Sequence, residues 1–401
     1  MKALIADKMP ESYLETIREL GIELEFNPKM TEEDLGKGIP GHSILVVRST
    51  VVNRSCIEKS PELSLIIRAG AGVNNIDVKA ANESGIYVAN CPGRNSVAVA
   101  ELAMGLILAL DRSIPDNVSD FRNGKWNKAL YSKSEGLLGK KLGIIGMGQI
   151  GAELAIRARA FGMDVCAWSR SLTPERAEEM EIEFMESPLD VVTASDIISI
   201  HLALKPETRG IISAELFGAM KQGTLFVNTA RAEVVDEDAM IDHLRSGKIR
   251  AAVDVFKGEP EQKEGPFENH LRGVPNLYVT HHIGASTMQA QNAVAATVVD
   301  IIRTFLKTGK VINWLNRSHS TAAPWQLIVR HHDKPGVIAG IMNELKSVEI
   351  NAEELENVIF EGQITACCSI RLSDKPTDQI MENIRGMEGM VISATLLQVN
   401  K

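Results

Sequence analysis

The most constraining feature of the sequence is the stretch LGIIGMGQIG, an apolar run that ends in closely spaced glycines. Gly146, Gly148 and Gly151 have the G-x-G-x-x-G spacing, and a helix-like segment follows them. Glycines at these positions allow a tight turn, close approach of the backbone to a pyrophosphate, and close packing of helix on strand. Amides near Gln149 and Ile150 would then face phosphate oxygens at a helix N-terminus. The stretch predicts a parallel α/β sheet that binds a dinucleotide.

The position that usually recognises the ribose carries no acid in this chain. In such units Asp or Glu, about 20 residues after the turn, accepts hydrogen bonds from the ribose hydroxyls. The sequence here reads Trp168-Ser169-Arg170. Ser169 removes the repulsion toward a 2′-phosphate, and Arg170 offers a guanidinium that can bind one. The dinucleotide is therefore NAD or NADP, with the residues favouring NADP. The alternative is that Arg170 points into solvent and NAD is held by other contacts.

Apolar strands alternate with helix-like segments on both sides of the glycine turn. This alternation predicts an α/β protein with two doubly wound, parallel-sheet, Rossmann-like lobes. About 95 residues precede the second lobe, which is enough for a separate first lobe. After the polar stretch NRSHSTAAP, the remaining segments have the order βαββαβ, which is typical of a ferredoxin-like module.

Composition excludes several classes of partner. The chain has 401 residues, a formal net charge of −9 and a pI of about 5.6, which disfavours nucleic acid and anionic membranes. No secretory signal and no apolar run long enough to span a membrane is visible, so a cytoplasmic location is expected. The five cysteines form no C-x-x-C pair, so free thiols and no metal site are expected.

Polar side chains follow several of the apolar strands beyond the turn. Arg231 lies in NTARAEVVD, Asp254 and Glu259 lie in AVDVFKGEP, and His281 and His282 lie in VTHHIGAST. These positions are at the carboxyl edge of the predicted sheet, where doubly wound folds bind their ligands. Hydride transfer on a hydroxy acid needs a base for the hydroxyl proton and a cation for the carboxylate and carbonyl. The sequence therefore predicts this chemistry at this edge.

These motifs, together with VVRST, IIRAGAGVNNID and NCPGRNSVAVAE, resemble those of the D-isomer-specific 2-hydroxyacid dehydrogenases. The resemblance is greatest to the phosphoglycerate-oxidising members that carry a C-terminal ACT domain. It implies interleaved domains, a small-molecule substrate between the two lobes, and a homodimer or homotetramer. The implied bounds are 1–95 with 286–316 for the substrate lobe, 96–285 for the NAD(P) lobe, 317–325 for a linker and 326–401 for the ACT domain.

The resemblance also implies a role for each site residue. His282 would be the general acid/base, and Glu259 would hydrogen-bond its imidazole and raise its pKa. Arg231 would bind the substrate carboxylate and carbonyl, and Asp254 would contact the nicotinamide amide. His281 is interpreted as a neighbour of the base. The carboxylate site would be completed by backbone amides around Ala71, Gly72 and Val73, and by Asn95.

Two further arginines predict the substrate. Arg48 and Arg68 match cationic positions of phosphoglycerate-using relatives, and a guanidinium fork suits phosphate. The implied reaction is oxidation of 3-phosphoglycerate to 3-phosphohydroxypyruvate in serine biosynthesis. The alternative for these arginines is an ordinary surface position or an ion pair with a nearby carboxylate. The alternative enzyme is an NADPH-dependent glyoxylate or hydroxypyruvate reductase. A non-catalytic amino-acid sensor or corepressor on this fold would be expected to lose Arg231, Glu259 or His282.

The segment LIVRHHDKPGVIAGIMNEL resembles the start of an ACT domain, which often binds an amino-acid effector. In relatives that respond to serine, a histidine and two asparagines bind it. Here His331 matches the histidine, and Asp333 and Glu349 are interpreted as standing at the asparagine positions. Two acids would repel the carboxylate of serine, so serine inhibition is not expected. The alternative is a module that only dimerises.

Overall fold

The computed structural model describes residues 1–260, 265–318 and 323–399. The chain divides into two compact units, Met1–Asn316 and Arg317–Lys401. Within the described ranges no helix combines the length and the apolar character that crossing a bilayer requires.

The first lobe is a parallel sheet of five strands in the order β2-β1-β3-β4-β5. Its strands are short and apolar, and both faces are covered, as expected for a parallel sheet. The strands are β1 (Lys2–Ile5), β2 (Glu23–Phe26), β3 (Ile44–Val47), β4 (Leu65–Arg68) and β5 (Tyr87–Asn90), and the helices are α1 (Glu11–Glu19), α2 (Glu32–Gly36), α3 (Arg54–Glu58) and α4 (Val78–Glu83).

The second lobe is a parallel sheet of seven strands in the order β12-β11-β10-β9-β6-β7-β8. The strands are β6 (Lys141–Ile145), β7 (Asp164–Trp168), β8 (Glu183–Phe184), β9 (Ile197–Ile200), β10 (Thr224–Asn228), β11 (Ile249–Val253) and β12 (Leu277–Val279). The helices are α5 (Ser96–Arg112), α6 (Ile114–Arg122), α7 (Lys128–Tyr131), α8 (Gln149–Ala160), α9 (Pro174–Glu179), α10 (Pro188–Ala194), α11 (Ala214–Ala219) and α12 (Glu237–Arg245), with 3-10 turns at Pro206–Thr208 and Ala232–Val234. The strand order reverses between β6 and β9, and ligands bind at such a reversal.

The chain then returns to the first lobe. Helix α13 (Met288–Thr308) buries Val298, Ile301 and Ile302 in the same core cluster as β1, β3 and β4. Beyond it, the side-chain oxygen of Asn316 accepts a hydrogen bond from the amide of Val88 at 2.8 Å. The carboxyl edges of the two sheets therefore belong to one compact unit, with a cleft between them.

The C-terminal unit has the predicted βαββαβ order, in an antiparallel sheet arranged β14-β15-β13-β16. Its elements are β13 (Trp325–His332), α14 (Val337–Lys346), β14 (Ala352–Ile359), β15 (Thr365–Leu372), α15 (Asp378–Arg385) and β16 (Val391–Gln398). The predicted fold class, two parallel-sheet lobes and this module, is confirmed. Strand β13 begins at Trp325, the last residue of the predicted linker, and linker residues 319–322 lie outside the described ranges. The predicted domain bounds stay a prediction.

Candidate active site

The glycine turn has the geometry that a phosphate-binding turn requires. Gly146 has a φ of 108°, and a Cβ there would lie 2.6 Å from the backbone of His201. A Cβ at Gly151 would lie 2.5 Å from the carbonyl oxygen of Gly146. At Gly148 a Cβ would meet no atom within 4 Å, so this side of the turn is open. The turn can therefore receive a pyrophosphate, as the sequence predicts.

The first residues of helix α8 lie directly after this turn. Gln149 is exposed and Ile150 is half-buried. The first amides of a helix have no partner within the helix, so these donors are available to an anion. The placement of Gln149 and Ile150 after the glycine turn favours contact of their amides with the cofactor, and this contact stays a prediction.

The predicted ribose position lies beside the turn. The amide of Gly146 donates to the carbonyl of Trp168 at 2.8 Å, so the end of β7 is adjacent to the glycines. The hydroxyl of Ser169 is buried and has no hydrogen-bond partner among the described residues. Arg170 is exposed, and none of the described carboxylates lies within 4 Å of it. A free hydroxyl and a free guanidinium therefore stand where an acid usually binds the ribose.

A cleft of about 1140 Å³ lies between the carboxyl edges of the two parallel sheets. It contains most of the residues from both lobes that the sequence assigns to the substrate and to catalysis, while Ala71 and Val73 are not part of its lining. Those in its lining are Arg48, Arg68, Gly72, Asn95, Arg231, Glu259 and His282. His281, interpreted as a neighbour of the base, is exposed and is not part of this lining.

His282 and Glu259 form a hydrogen-bonded pair in this cleft. The Nδ1 atom of His282 lies 2.7 Å from Oε2 of Glu259, and Oε1 of Glu259 accepts from the amide of Phe256 at 3.1 Å. The hydrogen bond that His282 donates to Glu259 raises the pKa of His282, and this outweighs the opposite effect of burial. Because Nδ1 is engaged, Nε2 is the nitrogen left to exchange a proton with a substrate.

Asp254 holds the segment that carries His282. Its Oδ1 accepts from the hydroxyl of Thr280 at 2.6 Å and from the amide of Ile283 at 2.9 Å. Its Oδ2 accepts from the amide of Gly284 at 2.8 Å. The carboxylate is buried, with 1% of the residue exposed. The contact of Asp254 with the nicotinamide amide stays a prediction. The hydrogen bonds that Asp254 accepts fix the backbone around the imidazole of His282.

Arg231 reaches across the cleft toward the loop of the first lobe. A Cβ at Gly72 would lie 2.8 Å from Nη2 of Arg231. The amides of Ala71, Gly72 and Val73 donate no hydrogen bond to any described residue. Asn95 occupies the N-cap position of helix α5, and its side chain makes no capping bond to the described helix, so that bond does not engage its side-chain amide. A cation and several free donors therefore converge where a carboxylate is expected.

Arg48 and Arg68 bring two more cations to the cleft. Burial lowers the pKa of Arg68, and repulsion from Arg231 and Arg48 lowers it further. The Nε atom of Arg68 is buried without a partner among the described residues. Within those residues, no carboxylate oxygen lies within 4 Å of any of the three guanidinium groups. The alternative of an ion pair with a nearby carboxylate is therefore not seen among the described residues, although the carboxylate of Asp7 lies close enough to raise the pKa of Arg68 slightly.

The sequence analysis missed Asp7, which fixes the loop of Arg48. The amides of Arg48, Ser49 and Thr50 donate to its Oδ2 at 2.7, 3.0 and 3.0 Å, and the hydroxyl of Ser49 donates to Oδ1. Burial alone would raise the pKa of Asp7, but these hydrogen bonds together lower it, so the carboxylate is charged. The available signal was an acid placed directly after an apolar strand.

The predicted effector residues are not joined by contacts in the C-terminal unit. His331 is buried, with Nδ1 2.8 Å from the carbonyl of His332 and Nε2 3.0 Å from the side-chain oxygen of Asn357. Internal partners therefore contact both ring nitrogens, and an effector role for His331 stays a prediction. Asp333 is exposed, and Glu349 lies in an exposed turn with a φ of 57°. Their role stays a prediction. No group of three potential metal ligands occurs among the described residues.

Comparison with known proteins agrees with this geometry. The model of the D-isomer specific 2-hydroxyacid dehydrogenase, NAD binding domain, matches residues 104–284. All of the chain aligns with the D-3-phosphoglycerate dehydrogenase of Methanocaldococcus jannaschii, at 35% identity and over 74% of that protein. The chain belongs to the D-isomer-specific 2-hydroxyacid dehydrogenase family. As a member of this family it is an oxidoreductase that uses a nicotinamide cofactor, as predicted.

Two other proteins are similar over more than two thirds of the chain. The hydroxypyruvate reductase of Thermotoga maritima is 44% identical over 285 residues, which is 70% of this chain and 90% of that protein. The crystal structure of the NAD+-bound 3-phosphoglycerate dehydrogenase of Entamoeba histolytica superposes with a TM-score of 0.66 at 26% identity. The superposition covers 79% of this chain and 99% of the Entamoeba histolytica chain.

Proposed function

We propose that this dehydrogenase oxidises 3-phosphoglycerate to 3-phosphohydroxypyruvate, and catalyses the reverse reduction when the keto acid is supplied. The observation that carries the proposal is the cluster of Arg48, Arg68 and Arg231, which share one cleft with His282 and make no direct ion pair with a described carboxylate. A substrate with a carboxylate at one end and a phosphate at the other would neutralise such a cluster. The similarity to phosphoglycerate dehydrogenases over the whole chain supports the same substrate.

The residues of the cleft have complementary tasks in this reaction. The oxidised cofactor supplies the acceptor for the hydride that leaves C2 of the substrate. As the hydride leaves, Nε2 of His282 accepts the proton of the C2 hydroxyl, and the carboxylate of Glu259 stabilises the resulting imidazolium. Arg231 binds the carboxylate and stabilises the negative charge on the C2 oxygen. In the reverse reaction, His282 returns the proton to that oxygen.

A second candidate function is reduction of hydroxypyruvate or glyoxylate. The 44% identity to a hydroxypyruvate reductase favours it. These substrates carry no phosphate, so Arg231 and the free amides near Gly72 would be enough to bind them. The presence of Arg48 and Arg68 in the same cleft favours the phosphorylated substrate instead.

The variant Arg48→Ala distinguishes these substrates. We expect kcat/KM for phosphohydroxypyruvate to fall about 10- to 100-fold, because a charge-assisted bond to phosphate contributes about 1.5–3 kcal/mol. The value for hydroxypyruvate should change less than about threefold, because this substrate has no phosphate to lose. Arg18→Ala is the control, since it removes the same charge from an exposed position on helix α1 of the same lobe. Equal losses on both substrates would contradict phosphate recognition by Arg48.

We also propose a preference for NADPH over NADH, supported by Ser169 and Arg170 beside the glycine turn. The variant Arg170→Ala should lower kcat/KM with NADPH about tenfold, because one charge-assisted contact to the 2′-phosphate is lost at an exposed site. The value with NADH should stay within about twofold, and it serves as the internal control. A clear NADH preference of the unmodified protein would end this proposal.

A second copy of the chain is the proposed partner of an apolar segment that precedes the glycine turn. Phe121, Trp126 and Leu138 expose 71%, 81% and 86% of their surface. Exposed apolar side chains of this size, close together in the sequence, favour an interface. The proposed assembly is a homodimer that covers this segment, in line with the oligomer expected from the sequence.

A further inference from the structure

A second glutamate–histidine pair lies beneath the loop that carries Glu259. Glu237 is the first residue of helix α12 and is buried, with 3% of its surface exposed. Its Oε1 lies 2.7 Å from Nε2 of His270, and its Oε2 accepts from the amide of Lys257 at 2.9 Å. Burying a carboxylate is costly unless partners satisfy it, so these two partners account for its position.

The peptide groups of Lys257 are held on both sides. The side-chain amide of Asn269 donates to the carbonyl of Lys257 at 3.0 Å, opposite the bond from its amide to Glu237. The chain then turns at Gly258, whose φ is 75°, and reaches Glu259 one residue later. The amide of Phe256, on the other side of Lys257, donates to Oε1 of Glu259. Fixing Lys257 therefore fixes both the backbone of Glu259 and the donor that orients its carboxylate.

We propose that Glu237 is a positioning residue for the pair formed by Glu259 and His282. It is not part of the lining of the cleft, and it acts by holding Lys257 so that Oε2 of Glu259 stays within hydrogen-bonding distance of the imidazole. This inference rests on the proposed function, because it takes His282 as the group that exchanges the proton. The simpler alternative is that Glu237 only stabilises the fold around helix α12.

The pH dependence of the reaction separates these two roles. In reduction of the keto acid, His282 must begin protonated, so activity falls as the pH rises through its pKa. The hydrogen bond that the imidazole donates to Glu259 raises that pKa. If the loop shifts and this bond lengthens, the pKa falls and the alkaline limb of the kcat profile moves to lower pH. A residue that only stabilises the fold would leave the limb where it is.

The test measures kcat and KM for keto-acid reduction across pH in the full-length variants Glu237→Ala and Glu237→Gln. Glu237→Ala is expected to lower kcat about tenfold and to move the alkaline limb down by about half a unit to one unit. KM should change less than about threefold. Glu237→Gln can keep both hydrogen bonds with a neutral His270, so its kcat should stay within about threefold and its limb should not move.

Two further variants allow the inference to be tested even if Glu237→Ala does not fold. Asn269→Ala removes the other bond to Lys257 and should shift the limb in the same direction. Asp238→Asn removes an exposed carboxylate from the same helical turn and should change neither kcat nor the limb. The positioning role would be overturned if the alkaline limb of the kcat profile did not move in Glu237→Ala or, where that variant does not fold, in Asn269→Ala. It would also be overturned if Glu237→Gln and Glu237→Ala lost kcat equally. If the unmodified enzyme reduces no 2-keto acid, the proposed function fails instead.

Discussion

Replacing His282 with asparagine is expected to lower kcat about 10²- to 10⁴-fold in both directions, the range that a general acid/base contributes. Asparagine is the suitable replacement because His282 has a φ of 51°, a left-handed conformation that asparagine tolerates better than most residues. The backbone and the hydrogen bonds to Asp254 should therefore survive, while the titrating nitrogen is lost. Binding of the cofactor should stay within about threefold.

The neighbouring histidine provides a matched control. His281→Asn changes the same side chain at an exposed position outside the lining of the cleft, and its kcat should stay close to that of the unmodified enzyme. Steady-state rates of both variants across pH make the comparison. A His282→Asn enzyme that kept its full kcat, with an unchanged pH profile, would show that another group exchanges the proton.

Replacing Arg231 with alanine is expected to lower kcat/KM about 10²- to 10³-fold, because a preorganised donor to the developing oxyanion is removed. The loss should be similar for phosphorylated and unphosphorylated keto acids, since all of them carry the carboxylate and carbonyl that Arg231 binds. This pattern differs from that of Arg48→Ala, whose loss should be confined to the phosphorylated substrate. The ratio of kcat/KM values for phosphohydroxypyruvate and hydroxypyruvate therefore assigns each arginine to one end of the substrate.

Two comparisons complete this test. Arg231→Lys keeps the charge but loses the planar fork, so it should recover only part of the activity. Arg245→Ala removes the same charge from an exposed position in the last turn of helix α12 and should leave kcat/KM unchanged. A loss in Arg231→Ala that appeared only with phosphorylated substrates would contradict its role at the carboxylate.

The sequence predicted the features that depend on residues close together in the chain. The glycine turn depends on residues that lie within one short segment, and the structure gives Gly146 and Gly151 contacts that no larger residue could make. Arg231, Glu259 and His282 follow apolar strands, and parallel strands bring their carboxyl ends to one edge. Their convergence in one cleft therefore follows from the alternation of strands and helices together with the family resemblance.

The sequence did not predict the buried acids that hold the site. Asp7 binds amides that lie 41 to 43 residues away, and Glu237 binds an amide 20 residues away. Nothing near either acid in the chain marks these partners, because they meet only when two strands or a strand and a helix pack together. The contact of His331 with Asn357 was not predicted for the same reason, since Asn357 lies on another strand.

Initial rates of reduced-cofactor oxidation by the full-length protein test the central claim most directly. Phosphohydroxypyruvate, hydroxypyruvate and glyoxylate are compared, each with NADH and with NADPH. The account predicts the highest kcat/KM with phosphohydroxypyruvate, exceeding that with hydroxypyruvate by about tenfold or more, because only this substrate engages all three arginines. An enzyme that oxidised the cofactor with none of these keto acids, or that preferred glyoxylate, would contradict it.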